Sequence, residues 1–304
     1  MKKKSSYSST LSIVKWVAFF FISITHLIGQ TNGEWWKRNN LRVIQLNLPD
    51  YEAATIHPDS VVEDLVNYSA NTLIINAGGI MAFYPSKLES HYINPYMRPA
   101  VLADIIKKCH QNKIKVIVRF DFSRADRSIF DKHPNWFYIS EKGERMVNTD
   151  KYVVSINAPY VQEVAFQIVN EVIENFPIDG IFQNMPGYQT RNAYENLYQG
   201  IDQNEFDKKA FFEYSGMKLP TIENKQDSVF KKYEEFKKFS TEKWQEKMFN
   251  QVKSKNPNIA ICTYADKFVD IIRHESQTNS LPYWPYSASD NVGNAANSYP
   301  NHVI

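Results

Sequence analysis

The sequence predicts a parallel α/β barrel of the TIM (β/α)8 type, incomplete at its C-terminus, with about six βα units present. Three observations carry this. From Leu41 onward, short apolar runs alternate with amphipathic helical patterns, an order that implies right-handed crossovers and a parallel sheet. The clearest run, Ile178 to Asn184, follows directly on a helix and breaks at Pro186-Gly187, as a buried parallel strand does when it delivers side chains to a site. The runs also end in polar residues, Asn47, Asn76, Asp121, Asn184, Tyr264 and Glu275, which a closed barrel would gather at one mouth. No glycine-rich phosphate loop follows the first run, which argues against a dinucleotide-binding sheet.

The elements follow in order. Arg42–Asn47 reads as a strand, and a helix is expected from near Ser60, with Glu63 as a capping-box partner and Val61, Val62, Leu65 and Val66 on its apolar face. Thr72–Ala77 is the second strand, closed by Gly78-Gly79, and Pro99 opens a helix through Val101, Leu102, Ile105 and Ile106. Lys115–Asp121 is the third strand. Asn157 is placed to cap the next helix, with Pro159 in its first turn, and Val161, Val164, Ala165, Ile168, Val169, Val172 and Ile173 keep the helical spacing. After the fourth strand come a charged helix over Val229–Lys255, a fifth strand over Ile259–Tyr264 and a shorter sixth over Val269–Arg273. The last two βα units are missing and the chain stops at Ile304 with no closing helix, so a truncated barrel is expected.

The N-terminus reads as a targeting segment. Lys2-Lys3-Lys4 is a basic start, Ile13–Leu27 is apolar apart from Lys15, Ser23, Thr25 and His26, and Gly29-Gln30-Thr31 offers a cleavage zone. Residues 1–30 are therefore expected to be a signal peptide and 31–304 the barrel domain, secreted or periplasmic. An uncleaved membrane anchor is the alternative, although the apolar part is short for a membrane span.

Composition narrows the function. The chain has 304 residues, 43% hydrophobic and 22% charged, with a net charge of +2. No concentrated basic face marks a nucleic-acid partner. The histidines lie on separate elements without metal-ligand spacing, and Cys109 and Cys262 read as two buried free thiols, so neither a metal nor another cofactor is expected. Aromatic residues make up 14% of the chain, and flat rings in loops suit sugar faces as well as cores. Tyr84, Tyr92, Trp136, Tyr188, Trp284 and Tyr286 are candidate stacking surfaces.

Amides and carboxylates at strand ends grip sugar hydroxyls because each offers paired donors or acceptors in a fixed plane. Glycoside hydrolysis usually needs two carboxyl groups, and Asp121 and Glu275 are the acids at the expected strand ends. Alternation puts Arg119 and Asp121 on one strand face, which equally describes an internal ion pair. Glu275 sits beside Arg273 and His274, cations that hold an acid ionised, as a nucleophile or stabilising carboxylate requires.

Several segments resemble a known group. His133-Pro134-Asn135-Trp136-Phe137, followed by Glu141-Lys142-Gly143, resembles a loop after the third strand of many barrel glycosidases, and Asp179-Gly180-Ile181-Phe182 is similar to their fourth-strand motif. Phe212–Gly216 with Leu219-Pro220, Tyr233–Phe236, Arg273–Ser276 and Tyr286–Ser289 continue the likeness. The group is the hypothetical glycosyl hydrolase family 6, distantly like α-L-fucosidases and family-42 β-galactosidases. The resemblance implies a secreted barrel hydrolase acting on glycans, usually followed by further domains. The fucosidase-like relatives carry an acid at the position of Asn184, and the family-42-like ones carry Asn followed by Glu where this chain has Asn184-Met185. The expected fourth-strand carboxylate is thus absent on either alignment.

The expectation is a secreted glycoside hydrolase-like barrel cleaving an oligo- or polysaccharide by carboxylate chemistry. Glu275 and Asp121 are the catalytic candidates; Asn47, Asn76, Arg119, Asn184, Tyr188, Tyr264 and Trp284 are the substrate-binding ones. A carbohydrate is the expected partner, with no nucleic acid and no stable membrane span after signal cleavage. The rival readings are a non-catalytic sugar-binding barrel and an inactive fragment.

Overall fold

The structure, a computed structural model, describes residues 34–38, 40–192 and 197–273. Contacts divide the chain into units of residues 1–35 and 36–304, and the fold set out here is that of the second. Among the described residues, six parallel strands form its main sheet: β1 (Val43–Leu46), β2 (Thr72–Gly79), β3 (Lys115–Asp121), β4 (Gly180–Asn184), β5 (Ala260–Thr263) and β6 (Ile271–Ile272). They lie side by side in chain order, so every crossover steps one place in the same direction and the sheet curls into a half-barrel. The curl brings Arg273, just after β6, close enough to hydrogen-bond Gln45 of β1.

Among the described residues, five longer helices connect or follow the strands: α1 (Pro58–Asn67), α2 (Val101–Gln111), α3 (Ala165–Asn175), α4 (Glu205–Ser215) and α5 (Ser228–Lys255). A small antiparallel sheet of Arg124–Ala125, Val147–Asn148 and Lys151–Val153 follows β3. The core lies between the main sheet and the helices. Val116, Val118 and Phe120 of β3 and Leu73, Ile75 and Ala77 of β2 share it with Leu65 of α1, Ile105 and Ile106 of α2, and Ile168 and Val172 of α3. Each such aliphatic side chain, once buried, contributes about 1.5–3 kcal/mol of transfer free energy.

Helix α5 serves two cores because its 28 residues extend about 42 Å. Trp244, Met248 and Val252 in its second half join the main core, and Trp244 Nε1 donates to the Val161 carbonyl at 2.9 Å. Phe230, Tyr233 and Phe236 in its first half close a second cluster with Ile201, Phe211 and Leu219.

The base of the sheet carries a repeated stitch. Asp179, just before β4, accepts from the Val116 amide at 2.9 Å through Oδ2, which also lies 2.7 Å from His110 Nε2, and from Lys115 Nζ at 2.6 Å through Oδ1. Asp270, just before β6, accepts from the Ile261 amide at 2.8 Å and from Lys253 Nζ at 2.6 Å. Each carboxylate pins the strand that follows it to its neighbour's backbone. Asp179 of the Asp-Gly motif is therefore an anchor at the end of the sheet opposite the mouth.

The strand expectations stand, with β2 running on through Gly78-Gly79 and β6 shortened to two residues. The capping expectations do not. Helix α1 starts at Pro58, two residues before the expected point, because a proline there needs no amide partner and has its φ preset. Its cap is His57, without a side-chain bond, and Ser60 and Glu63 lie inside the helix. Asn157 turns away from its helix and donates to Tyr188 Oη and Asp207 Oδ1, each at 2.8 Å. The helix itself begins with a wider turn over Tyr160–Val164. Cys109 and Cys262 are buried free thiols, and burial pushes them up to about 11 and about 12.

Candidate active site

Alternation along β3 decides which residues reach the mouth. Val116, Val118 and Phe120 point into the helix-packed core, so Ile117, Arg119 and Asp121 face the concave side. The register places Arg119 beside Asn76 of β2, and Asp121 beside Gly79 of β2 and Asn184 of β4. The concave face also has room for Ile117, because a Cβ on Gly180 of β4 would lie 3.0 Å from the Ile117 Cγ1.

Asp121 is the centre of the arrangement and is 2% exposed. Its Oδ2 accepts from Asn184 Nδ2 at 2.8 Å and from Arg119 Nη2 at 3.1 Å. Its Oδ1 accepts from Ser123 Oγ at 2.5 Å and from the Ser123 amide at 3.1 Å. Tyr264 Oη then donates to Asn184 Oδ1 at 3.2 Å, which extends one polar chain across β3, β4 and the end of β5. Arg273 stacks over Phe182 at 4.7 Å and over Tyr264 at 5.9 Å, so a second guanidinium backs this chain. The backbone turns sharply at Met185, whose φ of 49° is left-handed, and the loop after β4 begins there.

A cleft of about 480 Å³ opens at this end of the sheet, lined by Asn47, Asn76, Arg119, Asp121, Arg124 and Lys151 among others. Asn47 Oδ1 accepts from Gln45 Nε2 at 2.5 Å, and Asn76 Nδ2 donates to the Leu48 carbonyl at 3.2 Å. That bond fixes the Asn76 amide so that its Oδ1 is the remaining acceptor. Asn76 Oδ1 and Arg119 Nε, neighbours across β2 and β3, are buried atoms with no hydrogen-bond partner among the described residues. Unsatisfied buried polar groups are uncommon in folded proteins and concentrate where function demands them.

A bulge at the end of β2 fits Asp121 into place. The register slips between Asn76 and Gly78, and Gly79 adopts a φ of 102° against the backbone of Asp121. Two side chains hold Gly79 there. Tyr160 Oη donates to its carbonyl at 2.7 Å, and its amide donates to His91 Nε2 at 3.2 Å. An acceptor Nε2 requires the neutral ring, and burial lowers His91 to about 4, against the pull of Glu171. His91 Nδ1 faces Tyr84 Oη at 3.5 Å, and Tyr84 and Ser86 donate to Glu171 at 2.8 and 2.6 Å. Burial disfavours charge on Glu171, but these bonds and the Lys87 amide outweigh it and leave the carboxyl below its ordinary value.

Of the residues singled out from the sequence, Asn47, Asn76, Arg119 and Asp121 line one cleft, and Asn184 and Tyr264 are bonded to it through Asp121. Tyr188 does not join them: its hydroxyl is bonded to Asn157 and Asp207, and its ring packs on Tyr233 and Phe236. Tyr84 is 2% exposed and offers no open ring face. Glu275, Trp284 and Tyr286 lie outside the described residues. Gly79, His91, Tyr160 and Ser123 were not singled out. Ser123 alone left a sequence signal, an acid followed two positions later by a hydroxyl, the pattern of a local side-chain turn. Among the described residues, no group of three or more His, Cys, Asp or Glu side chains is placed to hold a metal ion.

Comparison with known proteins bears on the family resemblance and the fold. A family model described as hypothetical glycosyl hydrolase 6 matches residues 58–185, from the start of α1 to just beyond β4. The resemblance read from the sequence motifs is thereby borne out over that stretch. Among solved structures, the chain is similar to α-L-fucosidase isoenzyme 2 from Paenibacillus thiaminolyticus, with a TM-score of 0.57 and 16% identity over 79% of this chain and 34% of that one. It is similar to β-galactosidase from Bacillus circulans sp. alkalophilus, with a TM-score of 0.59 and 13% identity over 86% and 43%. The β-galactosidase from the psychrophilic Marinomonas ef1 gives a TM-score of 0.56 and 10% identity over 77% and 40%. At these identities the likeness is one of fold, an incomplete TIM-like barrel. The chain spans 34% to 43% of the length of these three proteins. No curated protein matches it at a significant level.

Proposed function

We propose that the protein is a glycoside hydrolase acting on an oligo- or polysaccharide outside the cytoplasm. The observation that carries this reading is the gathering of Asn47, Asn76, Arg119 and Asp121 around one cleft at the C-terminal ends of parallel strands. Sites of barrel enzymes lie at that end of the sheet. The family match over residues 58–185 adds support, as does a donor set of amides, a guanidinium and a carboxylate suited to hydroxyl-rich ligands.

In this reading, Asn47, Asn76 and Arg119 bind sugar hydroxyls, with Asn76 Oδ1 and Arg119 Nε supplying the unpartnered acceptor and donor. Asn184, lacking an ionisable proton, orients Asp121 and Tyr264 rather than acting as an acid. Asp121 supplies negative charge next to the developing oxocarbenium centre, and Glu275 is the second carboxyl, with Trp284 as a stacking surface. Tyr188 contributes by holding the loop after β4.

The test is hydrolysis of α- and β-linked aryl fucosides, galactosides and glucosides by the full-length protein and its Glu275→Gln variant. We expect turnover of at least one glycoside and a loss of about 100-fold or more in the variant, the scale of general acid–base or nucleophilic assistance. Full activity in the variant removes Glu275 from the mechanism. Saturable sugar binding without turnover of any glycoside would instead establish a non-catalytic barrel.

The basic and apolar start of the chain supports export. Mass spectrometry of the protein from its native host is expected to find a mature N-terminus near Gln30 or Thr31. An intact N-terminus in the membrane fraction would replace cleavage with anchoring.

A further inference from the structure

A second acidic centre lies away from the cleft. Asp202 and Asp207 are 3% and 0% exposed, and their carboxyl groups are neighbours in one buried cluster. Two neighbouring buried carboxyls without a counter-cation do not both ionise, so one of them keeps a proton and can donate it to the other. The remaining bonds say which. Asp207 Oδ1 accepts from Asn157 Nδ2 at 2.8 Å, its Oδ2 accepts from Ser155 Oγ, and Tyr188 adds a third side-chain bond. Asp207 also occupies the first turn of α4, where the helix dipole favours negative charge. Asp202 Oδ1 accepts from the amides of Ile139 at 3.1 Å and Asn204 at 2.9 Å, leaving its other oxygen as the donor. Among the described residues neither carboxyl has an ion pair, and the titratable groups facing them are phenols: Tyr138 from the segment after β3, Tyr188 from the loop after β4, and Tyr233 from α5. Glu141 and Glu234 lie farther out and add negative charge.

The pair also sits where the chain needs a fastening. It joins the loop before α3 (Ser155, Asn157), the loop after β4 (Tyr188), the start of α4, and α5, whose Ser240 Oγ donates to Asn157 Oδ1 at 3.2 Å. Tyr188 lies four residues beyond Asn184, the side chain that bonds Asp121 in the cleft. We propose that Asp202 and Asp207, sharing one proton, form a positioning latch that holds the loop after β4 against α4 and α5 and weakens as pH rises.

The sign follows from the closed and open forms. Burial first, and then the Asp207 charge, raise Asp202 to about 8 in the closed form, whereas in an open, hydrated form it returns to the ordinary carboxyl range near 4. The closed form binds the extra proton, so its advantage is full below about pH 4 and falls as pH rises through the interval to about 8. Above that value it falls no further.

Asp202→Asn tests the latch, because the amide oxygen can accept from Ile139 and Asn204 while its NH2 donates to Asp207 at every pH. The thermal midpoint of the variant minus that of the wild type is expected to rise by several degrees between pH 5 and pH 8.5 and then level off. Over the same range, amide exchange in residues 185–190 should accelerate in the wild type relative to the variant. An offset in midpoint that is constant with pH would reduce the pair to an ordinary buried hydrogen bond. Infrared spectroscopy supplies a check on the wild type that needs no folded variant. A protonated-carboxyl absorption should be present at pH 7 and titrate away near pH 8, and its absence at pH 7 would overturn the proposal.

Discussion

Gly79→Ala is expected to destabilise the fold by more than about 4 kcal/mol, the range reached when backbone strain and displaced core atoms act together. A Cβ at this position would stand 2.1 Å from the Asp121 carbonyl oxygen and 2.5 Å from its carbonyl carbon. Neither atom can retreat, since both belong to the backbone of β3 where it pairs with β2. The φ of 102° adds a conformational penalty for any residue with a side chain. Gly78→Ala provides the contrast. Its Cβ would meet His91 Cε1 at 3.0 Å and Ile168 Cγ2 at 3.1 Å, both side-chain atoms that can shift by a few tenths of an ångström. Thermal unfolding of the two variants should show a drop of roughly 8 °C or more for Gly79→Ala, at about 2–4 °C per kcal/mol for a domain of this size, and a far smaller one for Gly78→Ala. Similar behaviour of the two would mean that the bulge relaxes and does not set the position of Asp121.

This pair of glycines shows where the sequence was legible and where it was not. Thr72–Ala77 could be read as a strand because β-branched and apolar residues run together between turn residues, and the same logic located β3, β4 and β5. The glycines after it looked like a stop. They are strand residues instead, because a bulge lets the chain stay paired while it passes under Asp121. The polar strand ends were visible for the same reason as the strands: once a strand is placed, alternation assigns Asn76, Arg119 and Asp121 to one face. What supports them was hidden. His91 and Tyr160 reach Gly79 from 12 and 81 residues away, and no local pattern marks such contacts. The caps failed for a related reason. Asn157 has the residue type of a cap, yet buried Asp207, 50 residues later, competes for its amide and wins. Tyr188 was drawn from the cleft by the same cluster. Asp202 and Asp207 lie in a polar stretch with no hydrophobic period, so nothing in their neighbourhood announces that both are buried.

Asp121 separates structural from chemical roles at the cleft, and its substitutions are expected to do so in opposite proportions. Asp121→Ala leaves the Arg119 guanidinium, 17% exposed, without its carboxylate, and strands the Asn184 amide and the Ser123 N–H. Breaking a buried pair by removing one partner costs about 3–5 kcal/mol, so this variant should be visibly unstable. Asp121→Asn keeps the volume and an acceptor for Ser123, but turns an NH2 group toward two donors, Arg119 Nη2 and Asn184 Nδ2. The stability loss should then be about 1–3 kcal/mol, that of a buried hydrogen bond replaced by an unsatisfied group. If the carboxylate acts on the sugar, kcat/KM on the preferred aryl glycoside should fall by about 100-fold or more in Asp121→Asn, and mainly through kcat, because transition-state charge is what the amide cannot match. If instead Asp121 only tethers Asn184 and Arg119, KM should rise while kcat stays within a few-fold of the wild type. Glu275 would then be left as the catalytic carboxyl named so far, and its partner would have to be sought elsewhere at the mouth. The comparison works because Asp121→Asn keeps the volume of the carboxylate and removes only its charge, whereas Asp121→Ala removes every partner that the group gave Arg119: loss of stability tracks the guanidinium, and loss of turnover tracks the negative charge.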